Sequence, residues 1–223
     1  MKFLHAENPA EGIGMLAEDL GSALLAGKKV LWLIAGGSNL PVAVEIWKKA
    51  RVRISNDFSK SSNLTVTLTD ERFGPIGHPD SNWRQLAEAG FDFENIQTVP
   101  VLGGLEAEET ARVWGKEVER LLNLCEVVVG QFGLGSDGHI AGVLPDSEAV
   151  KSQEVAVVTR SKTFTRVTLT LQTIKMIPRA YVFAFGESKK EMLQILRDRN
   201  VGLDEQPAQI LKEMEEVYLF SDN

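Results

Sequence analysis

The sequence predicts a doubly wound α/β domain, a mainly parallel sheet with helices on both faces, and three observations predict it. Short apolar runs such as Lys29–Ala35 (KVLWLIA) and Ala180–Phe185 have the unbroken hydrophobicity of strands buried on both sides. Longer segments with helical spacing, such as Glu106–Leu124, fall between them. Glycines and polar residues cluster where strands end, the edge at which open α/β sheets bind ligands. With 223 residues and no Pro/Gly/Ser-rich linker, residues 1–223 are expected to form a single domain with Rossmann-like layering.

Each element follows from local pattern. Pro9–Ala26 places Ile13, Leu16, Leu20 and Leu24 on one face and meets Gly27, which predicts a helix and its stop. The strand Lys29–Ala35 runs into Gly36, Gly37, Ser38 and Asn39, and Pro41 opens an amphipathic segment through Lys49. Such a strand, loop and helix start aims backbone N–H groups at one spot, as a phosphate requires, although a tight turn ending in an N-cap has the same pattern. Leu64–Thr69 (LTVTLT) reads as a strand, and the charged triplet Asp70, Glu71, Arg72 stands at its end, before a loop and the helical run Trp83–Ala89. Asn95–Val101 reads as a short strand, Glu106–Leu124 as a helix with Trp114 on its packed face, and Cys125–Phe132 as a buried strand. Strands Glu154–Thr159 and Arg166–Thr170, a short helix Leu171–Ile177, strand Ala180–Phe185 and helix Lys190–Arg197 follow; Pro207–Met214 as a helix and Val217–Phe220 as a strand close the chain.

Composition narrows the partners. The 24 Lys+Arg against 31 Asp+Glu leave a net charge of −7, which argues against nucleic acid or an anionic membrane and requires any anionic ligand to find a local cationic pocket. The single cysteine, Cys125, rules out an intramolecular disulfide, fits a reducing cytoplasm and reads as a small core residue. No apolar run approaches the length of a membrane helix, and the first residues lack a signal-peptide pattern. The Gly36-Gly37 loop is not the dinucleotide fingerprint G-x-G-x-x-G, and no G-x-x-x-x-G-K-[ST] is present, so neither NAD nor ATP is implied as a cofactor. His78 has no ligand spacing around it and reads as an exposed loop histidine; no metal is expected.

The richest stretch is Gly133–Pro145, GLGSDGHIAGVLP, directly after the buried strand. Its glycines permit close backbone approach, and Asp137 and His139 put a carboxylate and an imidazole two residues apart. The pair reads either as proton-handling groups or as a capping aspartate beside a surface histidine. Gly186 and Lys189 bring a cation to the same sheet edge as the Gly36, Asp70 and Gly133 loops.

The order of these motifs resembles the 6-phosphogluconolactonases, within the wider sugar-phosphate isomerase and deaminase group. The family's Gly-Gly-Ser-Thr-Pro loop is similar to Gly36, Gly37, Ser38 and Pro41. Its Asp-Glu-Arg with a following Ser-Asn is similar to Asp70, Glu71, Arg72, Ser81 and Asn82. Its G-x-G-x-D-G-H loop is met by Gly133, Gly135, Asp137, Gly138 and His139, and its late arginine and Gly-x-x-Lys by Arg166, Gly186 and Lys189. Asn39-Leu40 stands where the family has one threonine, and Gly142 where it has serine. Deaminases of the group carry an aromatic residue after Asp-Glu and a glutamate before the late proline; Arg72 and Leu144 here favour the lactonases.

The resemblance implies hydrolysis of a phosphorylated sugar lactone, with a glucosamine-6-phosphate deaminase or isomerase, or a noncatalytic sugar-phosphate-binding module, as alternatives. On that reading His139 is the base, because an imidazole is partly neutral at pH 7, and Asp137 or Asp70 orients it. Arg72, Arg166 and Lys189 would hold the phosphate with Gly36, Gly37 and Ser38, and Asn82 and Gly135 complete the site. No cofactor is needed, and monomer and homodimer both stay open.

Overall fold

The computed structural model describes residues 1–55 and 57–223. In chain order the first half holds β1 (Lys2–His5), α1 (Ala10–Leu25), β2 (Val30–Ile34), α2 (Leu40–Arg53), β3 (Leu64–Leu68), β4 (Asp70–Arg72), α3 (Asn82–Glu88) and β5 (Gln97–Thr98). The second half holds α4 (Ala107–Leu124), β6 (Val127–Phe132), β7 (Ala156–Arg160), β8 (Thr165–Leu169), α5 (Leu171–Lys175), β9 (Arg179–Phe183), α6 (Lys190–Asp198) and β10 (Glu216–Ser221).

Seven strands form one sheet in the order β1-β10-β9-β6-β2-β3-β5, parallel at every pairing. Every residue of β2 and β3 is buried; β2 is apolar throughout, whereas β3 alternates with Thr65 and Thr67, and the Thr67 hydroxyl donates to Val99 O at 2.8 Å. Helix α1 turns Leu16, Leu20 and Leu24 inward and packs on α2. Helix α4 packs on β7 and β8, and its Trp114 indole N–H donates to Thr67 Oγ1 on β3 at 3.0 Å, so Trp114 is a core residue.

Several expectations are corrected. The triplet Asp70–Arg72 is itself a strand: with β8 and β7 it forms a separate antiparallel sheet, order β4-β8-β7. Alternation in sequence reveals a strand but not the sheet it joins. Strand β1 was missed because it is short and only half covered, an edge beside β10. Pro207–Glu213 is a 3₁₀ segment instead of an α-helix. Cys125 lies at the end of α4, half-buried instead of in the strand core, and burial pushes its thiol up, away from nucleophilic use. His78 is half-buried and its Nε2 lies 2.9 Å from the carbonyl of Arg72, so it braces β4 instead of facing solvent.

Candidate active site

From β2 the chain winds outward through β3 and β5, and from β6 it winds the other way through β9 and β10. The connections leaving the carboxyl ends of β2 and β6 therefore diverge, and a crevice opens between them. A cleft of about 220 Å³ occupies that position. Gly36, Gly37 and Ser38 after β2, Asp70 and Arg72 on β4, and Asn82 at the start of α3 line it. Gly135 and His139 after β6, Arg166 on β8 and Lys189 before α6 line it too. Of the residues expected to catalyse or to bind the substrate, Asp137 is the one that does not line the cleft; it binds His139 instead.

Glu71 explains how β4 and α3 are locked together. Its side chain is fully buried and its carboxylate accepts from the backbone N–H of Asn82 (2.6 Å), Trp83 (3.0 Å) and Arg72 (2.7 Å) and from the Ser81 hydroxyl (3.0 Å). Burial pushes its carboxyl up against the pull of those four donors. Ser81 also accepts from Arg84 N, so the helix start is capped twice. Asn82 is thereby held with its Nδ2 donating to Asp70 O at 3.1 Å and its carboxamide against Gly36. A Cβ on Gly36 would meet that carboxamide at 2.3 Å, so only glycine fits.

The imidazole is oriented by the other loop. Asp137 Oδ1 lies 2.6 Å from His139 Nδ1 and also accepts from the backbone N–H of His139 at 3.1 Å. The bond to His139 holds the Asp137 carboxyl down to about 2, so it is ionised and Nδ1 is the proton donor. Nε2 is left as the free basic nitrogen. A Cβ on Gly135 would overlap His139 Nδ1 at 2.1 Å and Asp137 Oδ1 at 2.5 Å, which accounts for the glycine. Of the two carboxylates expected as orienters, Asp137 makes the contact; Asp70 accepts instead from Thr69 Oγ1 at 3.3 Å. Burial pushes the Asp70 carboxyl up, opposed by the charges of Arg166, His139 and Arg72.

Arg72, Arg166 and Lys189 form no ion pair with a carboxylate among the described residues, in a chain where most of the surface arginines do. Helices α2 and α6 both begin at the cleft after a glycine and a 3₁₀ turn, and neither has a side-chain cap. Two uncapped helix starts and three cations without a carboxylate partner are an arrangement whose charge suits an anion.

Sequence reasoning passed over Asn39, Leu134 and Ala141 on the cleft wall. Asn39 looked like a loop insertion; it is 4% exposed, and its Oδ1 and that of Asn82 lack any protein partner among the described residues. Ala141 has φ 50°, in the left-handed region, a backbone state no sequence pattern announces. Gly142, where the family has serine, is tied at both backbone groups: its N–H donates to Thr168 Oγ1 (2.9 Å) and its carbonyl accepts from Thr159 Oγ1 (2.9 Å). Among the described residues no group of three or more His, Cys, Asp or Glu is placed to hold a metal ion.

The sequence profile described as glucosamine-6-phosphate isomerases/6-phosphogluconolactonase matches residues 10–219. The chain belongs to this family. A 6-phosphogluconolactonase of Rhizobium meliloti (strain 1021) is 32% identical over 145 residues, 62% of this chain and 59% of that protein. The GDH/6PGL endoplasmic bifunctional protein of Oryctolagus cuniculus is 28% identical over 199 residues, 82% of this chain and 24% of that protein. The chain thus spans under two thirds of the length of these curated relatives. A solved 6-phosphogluconolactonase from Shewanella baltica OS155 superposes with a TM-score of 0.78 at 22% identity, covering 98% of this chain and 96% of that one. A monomeric glucosamine-6-phosphate deaminase does so with a TM-score of 0.79 at 20% identity, covering 99% and 97%. These two likenesses show the shared doubly wound fold. No helix among the described residues is long and apolar enough to cross a membrane.

Proposed function

We propose that this cleft hydrolyses 6-phosphoglucono-1,5-lactone to 6-phosphogluconate, the chain acting as one cytoplasmic domain on a small sugar phosphate. The reading is carried by one observation: an imidazole fixed through Nδ1 by an ionised carboxylate shares a cleft with three unpaired cations. The family and the curated lactonase relatives support it.

The phosphate sits among Arg72, Arg166 and Lys189 and the first amides of α2, where guanidinium forks and helix starts match its oxygens. The sugar hydroxyls donate to the unpartnered amide oxygens of Asn39 and Asn82, which otherwise stay desolvated without a bond. His139 Nε2 takes a proton from water as its oxygen adds to the lactone carbonyl, then returns that proton to the ring oxygen as the C–O bond breaks. Asp137 holds the required tautomer and stabilises the imidazolium. An activated ester needs no redox or electron-sink chemistry.

The test is a direct lactonase assay beside His139→Ala. The variant is expected to lower kcat by roughly 10²–10⁴-fold with its thermal melt unchanged; equal turnover removes the base assignment. Incubation with glucosamine 6-phosphate supplies the competing arm, where ammonia release without lactone hydrolysis favours a deaminase. Stabilisation by 6-phosphogluconate with neither reaction favours a binding module.

A further inference from the structure

We propose that Phe164 is a positioning residue for the phosphate site, its ring holding Arg72 and Arg166 as a pair without neutralising them. This rests on the phosphate reading above. In the antiparallel register of β4 and β8, Arg72 lies directly opposite Arg166, so two like charges face each other across the ladder. Such a pair is expected to splay into solvent unless something holds it. No carboxylate comes within ion-pair reach of either among the described residues, and the oxygens they bind are neutral. Arg72 Nη1 donates to Asp80 O (3.0 Å) and Gln85 Oε1 (3.2 Å), and Arg166 Nη1 donates to Ser161 Oγ (3.3 Å).

The element common to both is an aromatic face. The guanidinium carbons of Arg72 and Arg166 lie 5.0 and 5.4 Å from the Phe164 ring centroid, inside the range of cation–π attraction. A carboxylate in that place would order the same two side chains but consume the charge the anion needs. A ring attracts both through its quadrupole and leaves their charge available. Phe164 is itself fixed at the tip of the β7–β8 hairpin: its N–H donates to Ser161 Oγ at 3.1 Å and its carbonyl accepts from Ser161 N at 3.0 Å. One backbone hairpin thus supplies Arg166, the ring that orders it and the hydroxyl that steadies it.

The test compares Phe164→Leu, which keeps apolar bulk and loses the π face, with Phe164→Tyr, which keeps both, and with Arg166→Ala. KM and kcat are measured for the lactone, and Kd for 6-phosphogluconate by calorimetry. F164L is expected to raise KM and Kd roughly fivefold to thirtyfold with kcat within about twofold, and F164Y to restore wild-type values. The pH–rate profile should not move. Wild-type KM in F164L while R166A raises it at least tenfold overturns the role of Phe164 and leaves the phosphate reading standing. Equal weakening in F164L and F164Y overturns it as well, since shape would then matter and the π face would not. If R166A leaves KM and Kd unchanged, the phosphate reading fails and takes this inference with it. Should F164L not fold, Phe164→Met carries the same comparison.

Discussion

At the scale of single residues, burial and bonding push two carboxylates in opposite directions, Asp70 on the cleft wall and Asp137 bound to His139. Asp137 is held down to about 2 by the imidazole it binds. Its depressed value means that its contribution to stability is present above the ordinary carboxylate range and is lost only as pH falls through about 2. At any working pH it is therefore a fixed negative charge on His139 Nδ1. Asp137→Asn is expected to lower kcat roughly tenfold to a hundredfold, less than in a fully buried triad because the Asp137 side chain is 54% exposed. A kcat within twofold of wild type would show that the tautomer is fixed by something else. Asp70 behaves conversely. Burial raises its carboxyl, so the ionised form is disfavoured in the folded state, and whatever stability it adds is present below the unfolded value and lost as pH rises through the folded one. Asp70→Asn should therefore raise Tm at neutral pH, with the gain vanishing near the ordinary carboxylate range of about pH 4. Melts across that range check it, and a Tm unchanged at pH 7 would mean that Arg166 and Arg72 already offset the burial.

At the scale of elements, the site depends on one helix start being pinned to one strand. Glu71 joins β4 to α3, α3 fixes Asn82, and Asn82 fills the space above Gly36. Gly36→Ala drives a methyl group into a carboxamide that cannot yield, since its Nδ2 is committed to Asp70 O and its backbone N–H to Glu71. Overpacking of this kind costs about 1–3 kcal/mol. The expected outcome is a Tm lower by roughly 2–12 °C and a raised KM, since the Gly36–Ser38 loop of the cleft wall is what moves. A Tm and KM equal to wild type would show that the loop relaxes freely. Apart from β1 and β4, the strands and the glycine loops were legible in the sequence, because a buried strand is rich in apolar and β-branched residues and its exit must turn sharply. The role of Glu71 was not, because its partners are backbone N–H groups 11 and 12 residues away, which no side-chain pattern encodes. Phe164 was equally silent: one aromatic residue at a hairpin tip reads as packing until the register brings Arg72 opposite Arg166.

For the whole molecule, the balance of charge is the informative quantity. A chain of net charge −7 keeps Arg72, Arg166 and Lys189 unpaired at the point where its sheet divides. Mutual repulsion among these cations, with no carboxylate in ion-pair contact with them among the described residues, disfavours the unliganded fold, and an anion that binds there would return that energy. Ligand binding to the folded state alone stabilises by about 2.7 kcal/mol at a hundred times Kd, and in a chain of this size each kcal/mol moves Tm by about 2–4 °C. Near-saturating 6-phosphogluconate should then raise Tm by roughly 5–11 °C, inorganic phosphate by less at equal concentration, and unphosphorylated gluconate hardly at all. The ranking separates the phosphate site from the hydroxyl contacts. In Arg72→Ala the 6-phosphogluconate shift should shrink towards that of gluconate while the ligand-free Tm holds or rises, because one of three repelling charges is gone. A ligand-free Tm that falls by several degrees, with the shift intact, would mean that Arg72 serves the β4–β8 sheet and that the anion is held elsewhere.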